Sequence, residues 1–100
     1  MNMRLPVQQT RIVNFAKKWG LTELAVFGSV LRDDFRSDSD VDVLIELPAD
    51  HPYSAFALVP MRDELQEIFG RPVDLVLKGG LRNAVRRQMI LESRQVLYAA

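Results

Sequence analysis

A chain of 100 residues has room for one domain and one core, and its ordinary apolar share needs no disulfide or structural metal to close that core. The absence of cysteine removes disulfides, thiolate metal sites and cysteine nucleophiles together, and the single histidine, His51, rules out a site built from several imidazoles. Thirteen basic and thirteen acidic side chains cancel, which argues against direct binding along a nucleic-acid backbone, where net positive charge supplies the affinity.

No stretch approaches the length needed to cross a bilayer, and the polar start, Met1 to Arg11, lacks the apolar core of a signal peptide. A reducing cytoplasm is therefore the expected compartment. The charges are unevenly placed. Asp33, Asp34, Asp38, Asp40 and Asp42 crowd one region, and Arg82, Arg86, Arg87 and Arg94 another.

In chain order, Pro6 to Lys18 reads as a helix, with Ile12, Phe15, Ala16 and Trp19 on one face and Gly20 as its stop. Leu24 to Phe27 is a short apolar strand running into a tight turn at Gly28 and Ser29. Val30 to Phe35 has the composition of a short helical turn, and Arg36 to Ser39 that of a loop. Val41 to Leu47 is the strongest strand, ending at Pro48. Ala49 to Pro52 is a linker, with His51 expected at the surface. Tyr53 to Phe69 carries a helical pattern through Phe56, Met61, Leu65, Ile68 and Phe69, and Pro60 within it means either a kink or two helices. Gly70 ends that element, and Pro72 to Leu77 is a third strand interrupted by Asp74. After Gly79 and Gly80, Leu81, Val85 and Met89 mark a third helical face, and Arg82, Arg86 and Arg87 a solvated one. Val96 to Tyr98 adds an edge strand or packs against the sheet. The order predicts an α/β (α+β) domain over residues 1–100, a small mixed sheet with helices packed on it and no internal linker.

The chemistry concentrates in three aspartates. Asp40 and Asp42 are two apart at the mouth of a strand, so the period of two places both carboxylates on one face. Two such charges repel unless a cation lies between them, and an all-oxygen donor set favours magnesium or manganese over zinc. Asp74 joins them if its strand lies beside theirs, and three carboxylates suffice for two metal ions. Gly28 lets backbone approach a phosphate closely, and the Ser29 hydroxyl is placed to grip its oxygens. Each fragment alone has a bland reading, as a hairpin turn or a solvated acidic loop. An EF-hand is excluded because Val43 stands where the sharp-turn glycine belongs and Ala49 where the bidentate glutamate belongs. Dinucleotide and P-loop fingerprints are absent as well.

Gly28-Ser29, ten intervening residues and Asp40-x-Asp42 together resemble the signature of the polymerase-β nucleotidyltransferase superfamily. Arg32 after the turn, Ser39-Asp40-Val41-Asp42 and Pro72-Val73-Asp74-Leu75-Val76 resemble its minimal branch, the MNT family, over nearly the whole chain. Many members of that branch are antitoxin halves of toxin–antitoxin pairs. The resemblance implies the nucleotidyltransferase fold, with Gly28 and Ser29 on the nucleotide phosphates. It implies Asp40 and Asp42 as magnesium ligands, with Asp74 completing a catalytic and metal-binding triad. Arg32 either contacts a phosphate or pairs with a neighbouring aspartate. It is followed by Asp33 where many relatives have glycine, which adds negative charge near the phosphates. The implied reaction moves AMP from ATP to a hydroxyl, that of a tyrosine, on a helical HEPN-type toxin held in a complex. The rival readings are an antitoxin that acts by occlusion alone and a small-molecule nucleotidyltransferase. Three retained carboxylates weigh against the first, and the want of a second domain against the other.

Overall fold

The computed structural model describes residues 9–28 and 40–100. Seven elements follow in order: α1 (Gln9–Trp19), β1 (Glu23–Phe27), β2 (Val41–Glu46), α2 (Leu58–Phe69), β3 (Val73–Leu77), α3 (Ala84–Ser93) and β4 (Gln95–Ala99). Short 3-10 turns at Ala55–Ala57 and Lys78–Gly80 precede α2 and α3. The strands form a mixed sheet in the order β3-β2-β1-β4. β1 is antiparallel to both β2 and β4, while β2 and β3 run parallel. The expected turn at Val30 to Phe35, the loop at Arg36 to Ser39, and the candidate site residues Ser29 and Arg32 lie outside the described residues.

Alternation along the strands separates two faces. Leu24 and Val26, then Val41, Val43 and Ile45, and Val73 on the third strand all enter one buried cluster. Against it α1 lays Ile12, Phe15 and Ala16, and α2 lays Met61, Leu65 and Phe69. Each fully buried aliphatic side chain here contributes about 1.5–3 kcal/mol, so this layer carries most of the stability. The opposite face holds a smaller cluster of Ala25, Phe27, Leu44 and Ile90, the last supplied by α3.

Pro60 falls on the third residue of α2, within the first turn, where a backbone N–H has no intrahelical partner to lose. The alternative of a helix beginning near Pro60 is thus the one realised, with a 3-10 turn ahead of it. Gly70 closes α2 in the left-handed region at φ 72°, its N–H donating to the Gln66 carbonyl at 2.8 Å. The stretch at Val96 to Tyr98 is a paired edge strand, extended by one residue at each end. Trp19 packs against the core, edge-on to Tyr53 with ring centroids 5.3 Å apart, and its indole N–H donates to Glu64 at 2.5 Å.

The third helical face differs from expectation. Asn83 caps α3 by accepting from the Arg86 N–H at 2.9 Å, so the helix starts after Leu81. Val85 and Met89 are 70% and 65% exposed, and Ile90 is the α3 residue that is buried. Helical spacing alone does not say which of two adjacent apolar stripes meets the sheet.

Candidate active site

Asp42 is the second residue of β2, and the sheet register sets Phe27 of β1 on one side of it and Asp74 of β3 on the other. Adjacent strands lie about 4.8 Å apart, so Asp42 and Asp74 are as close as neighbouring strands allow and share one face. That face is the one α3 covers only in part. Asp40 stands just before Val41, whose N–H is fixed to the Pro72 carbonyl at 2.9 Å, and by strand period it projects to the same side as Asp42. Asp40 and Asp74 are exposed and Asp42 is half-buried.

Gly28 follows Phe27 directly and takes φ 72°, a conformation that side-chain-bearing residues rarely adopt. A Cβ at this position would lie 2.3 Å from Asp42 Oδ2 and 3.2 Å from its Cγ. The turn therefore folds against the carboxylate itself, and only a residue without a side chain permits that approach. Glycine at this position lets backbone approach a phosphate closely. The structure adds closeness to Asp42.

Among the described residues, no three acidic or imidazole side chains are gathered into a formed metal site. The donor set nevertheless suits a hard divalent cation. Asp42 and Asp74 share a register row, Asp40 precedes it on the same face, and every donor is a carboxylate oxygen. The Gly28 backbone leaves room beside Asp42 that a Cβ would fill.

A cleft of about 1290 Å³ opens over this end of the face. Gly28, Asp42 and Phe27 line one side, and α3 lines the other through Val85, Arg86 and Met89. Its volume exceeds the few hundred to ~1,000 Å³ of a usual small-ligand site, leaving space for a nucleotide and for a group entering from outside. The contribution of α3 to the cleft leaves no mark in the sequence beyond the helical spacing of Val85 and Met89.

The far end of the same face carries a second charged group. Glu23 and Glu46 stand directly opposite each other across β1 and β2. Their repulsion is relieved by Arg94, whose Nε donates to Glu23 at 2.6 Å, and by Lys78, 3.4 Å from Glu46 and 3.9 Å from Glu23. The Thr22 hydroxyl, donating at 2.9 Å, and the Lys78 ammonium hold the Glu46 carboxyl below the usual carboxylate range against a partial desolvation. Arg94 also donates to the Leu91 carbonyl, so it ties the last turn of α3 to β1. No sequence signal joins Glu23, Glu46, Lys78 and Arg94, which lie on β1, on β2, in the turn after β3 and at the junction of α3 with β4. His51 lies remote from the carboxylates, stacked on Tyr53 with its Nδ1 accepting from the Tyr53 N–H at 3.1 Å.

The comparisons with known proteins agree with this geometry. A family model described as a nucleotidyltransferase domain matches residues 10–97. The protein adenylyltransferase MntA of Thermococcus cleftensis is 32% identical over 85 residues, covering 82% of this chain and 78% of its own. A toxin–antitoxin crystal structure with AMP-PNP superposes with a TM-score of 0.75 at 18% identity, covering 94% of this chain and 75% of that one. The complex of a tri-AMPylated Shewanella oneidensis HEPN toxin with its MNT antitoxin gives 0.63 at 21% identity, over 92% and 70%. A mixed sheet bearing aspartates in register beside a glycine turn is the framework of a nucleotidyl-transferring domain. The chain belongs to the nucleotidyltransferase family, in its minimal MNT branch. No described helix is long and apolar enough to cross a membrane.

Proposed function

We propose that this protein is a magnesium-dependent protein adenylyltransferase. It moves AMP from ATP to a tyrosyl hydroxyl of a helical HEPN-type partner and silences that partner, as an antitoxin does a toxin. The observation that carries the reading is the packing of Gly28 against Asp42, with Asp74 in register one strand away. A left-handed glycine lets the turn press against a carboxylate, which is useful where backbone, carboxylate and phosphate must meet. The relatives add support: one is a protein adenylyltransferase, and two share the fold in toxin–antitoxin complexes.

Asp40, Asp42 and Asp74 would hold the magnesium, which supplies charge neutralisation at the phosphates and a more acidic hydroxyl. The chain's own groups do the rest. Gly28 and Ser29 bear on the phosphate oxygens, and Asp74 positions the incoming hydroxyl or takes its proton. The hydroxyl oxygen forms a bond to the α-phosphorus while the bond to the β-phosphate bridging oxygen breaks, and pyrophosphate leaves. Among the described residues the cleft has no wall for a macromolecular acceptor, so the acceptor protein brings its own binding surface.

Co-expression with the helical partner, followed by intact-mass measurement, tests the reading. The partner is expected to gain one or more AMP units beside the wild type and none beside an Asp40→Asn/Asp42→Asn double variant, which is also expected to lose protection in cells. A partner of unchanged mass, equally well neutralised by the double variant, would replace catalysis with occlusion.

A further inference from the structure

Resting on the nucleotidyltransferase reading, the geometry points to a nucleobase subsite on α3, formed by Val85 and Met89. The end of the cleft where Gly28 and Asp42 meet suits phosphates and a cation. A nucleoside triphosphate seated there must put its base elsewhere in the same cleft. A base needs apolar surface for its ring faces, because water solvates those faces poorly.

The apolar residues lining the cleft are Phe27, Val85, Met89 and Ile90. Phe27 and Ile90 are already consumed by the sheet cluster, at 7% and 6% exposure, and form its floor. Val85 and Met89, 70% and 65% exposed, are the cleft's uncovered apolar surface. They are four apart on a ten-residue helix and so adjacent on its surface. Neither packs in either core cluster, which leaves their exposure unexplained by folding. Methionine adapts its shape to a flat ring, and valine gives a stiff edge beside it.

Val85 and Met89 recognise the base by contact area and offer no hydrogen bond to its edge. A purine covers more of them than a pyrimidine does. Through these two side chains ATP and GTP gain alike, and both gain more than CTP and UTP. Selection of adenine over guanine then falls to the polar side chains of the same lining, Asn83, Arg86 and Glu92 among them.

Isothermal titration of the intact protein with magnesium, using ATP and inorganic triphosphate as paired probes, tests the assignment. Both sites are exposed helix positions, where alanine favours the fold, so the Val85→Ala/Met89→Ala double variant should fold. It is expected to bind ATP about tenfold more weakly, as loss of roughly half the apolar contact of two side chains implies, with triphosphate binding unchanged. Undiminished ATP affinity in the double variant would overturn the subsite, as would an equal loss for both probes. Asp42→Asn, run beside it, separates the two levels. Loss of both probes in that variant upholds the phosphate end even where the α3 assignment fails, and no loss of either removes the nucleotidyltransferase reading and this subsite with it.

Discussion

Replacing Gly28 with alanine tests the contact on which the site depends, and Gly70→Ala supplies its control. Both glycines sit at φ 72°, so an alanine at either position carries the same left-handed backbone cost of about 1–2 kcal/mol. They differ in what a Cβ meets. At Gly70 nothing lies within 4 Å, whereas at Gly28 the Asp42 Oδ2 is 2.3 Å away. Ordinary contact begins at 3.4 Å, so the carboxylate must retreat by about 1 Å, the difference between those two distances. An aspartate has one methylene in which to absorb that movement, and an off-rotamer side chain adds about 0.5–1.5 kcal/mol. Gly70→Ala should then lower Tm by roughly 4–15 °C in a domain of this size. Gly28→Ala should lower it somewhat further. The functional gap is wider: Gly70→Ala keeps magnesium–ATP affinity, and Gly28→Ala loses it at least about tenfold, with transfer falling about a hundredfold for a misplacement of this order. Thermal denaturation and calorimetric titration of the two variants read both quantities. Adding Asp42→Ala to Gly28→Ala removes the clash, so the two stability changes should fail to add. If Gly28→Ala matches Gly70→Ala in stability and binds ATP like the wild type, the turn is only a turn and the carboxylate is not built against it.

Three further outcomes follow from the carboxylates and ion pairs. Asp42→Asn should abolish the magnesium dependence of ATP binding in calorimetry, whereas Asp74→Asn should leave binding largely intact and abolish transfer, with the fold unharmed because a like charge has been removed. Arg94→Ala leaves Glu23, its side chain 13% exposed, opposite Glu46 with Lys78 alone to balance both, and should cost about 2 kcal/mol in urea denaturation. Glu64 is opposed by its own desolvation, but donation from Lys18 and from the Trp19 indole outweighs it and holds the carboxyl below its ordinary value. A lowered folded-state pKa contributes stability above the unfolded value of 4.5, which is lost as pH falls through the folded value. Glu64→Gln should therefore flatten that acid limb of the stability profile, lowering stability at neutral pH, where the contribution is fully present, and converging with the wild type below the folded pKa.

The elements that bury a continuous stripe were legible in the amino-acid sequence. Ile12, Phe15 and Ala16, or Met61, Leu65 and Phe69, repeat at helical spacing because one face must meet the sheet, and physical necessity leaves a periodic mark. The pairing of Asp42 with Asp74 was legible only conditionally, since it needed β3 to lie beside β2. The parallel register then supplied it. Two things left no mark. The Glu23–Arg94–Lys78–Glu46 group joins residues far apart in the chain through tertiary geometry alone. On α3, Val85 and Met89 have the spacing of a core face, yet Ile90 takes the inward position, because the Asn83 cap and the chain's return into β4 set the helix's rotation. Periodicity identifies an apolar stripe. It does not identify what covers it.

The sheet divides labour between its faces, and this bears on how so short a chain carries a site. One face is closed by α1 and α2 over the larger cluster, which includes nearly all the fully buried aliphatic side chains. The other face is clamped at one end by the ion-pair group and covered at its middle by Ile90, and among the described residues its Gly28–Asp42 end is left open. Stability and chemistry thus draw on different side chains of the same strands: Val41 and Val43 point into the core, and Asp40, Asp42 and Leu44 alternate away from it. A one-residue slip of β2 would drive Asp42 into the apolar layer and Val43 into the cleft, at several kcal/mol for the buried carboxylate alone. The register that holds the core together therefore also holds Asp42 at the cleft, with Asp74 beside it on the next strand. Substitution of Leu65 by alanine should cost about 2–5 kcal/mol of stability and yet leave magnesium–ATP affinity unchanged in whatever fraction remains folded. The carboxylate variants should show the reverse, losing function with little loss of stability. Denaturation midpoints and calorimetric affinities measured on both sets decide the matter, and a Leu65→Ala protein that folds but no longer binds ATP would mean that the two faces are not independent.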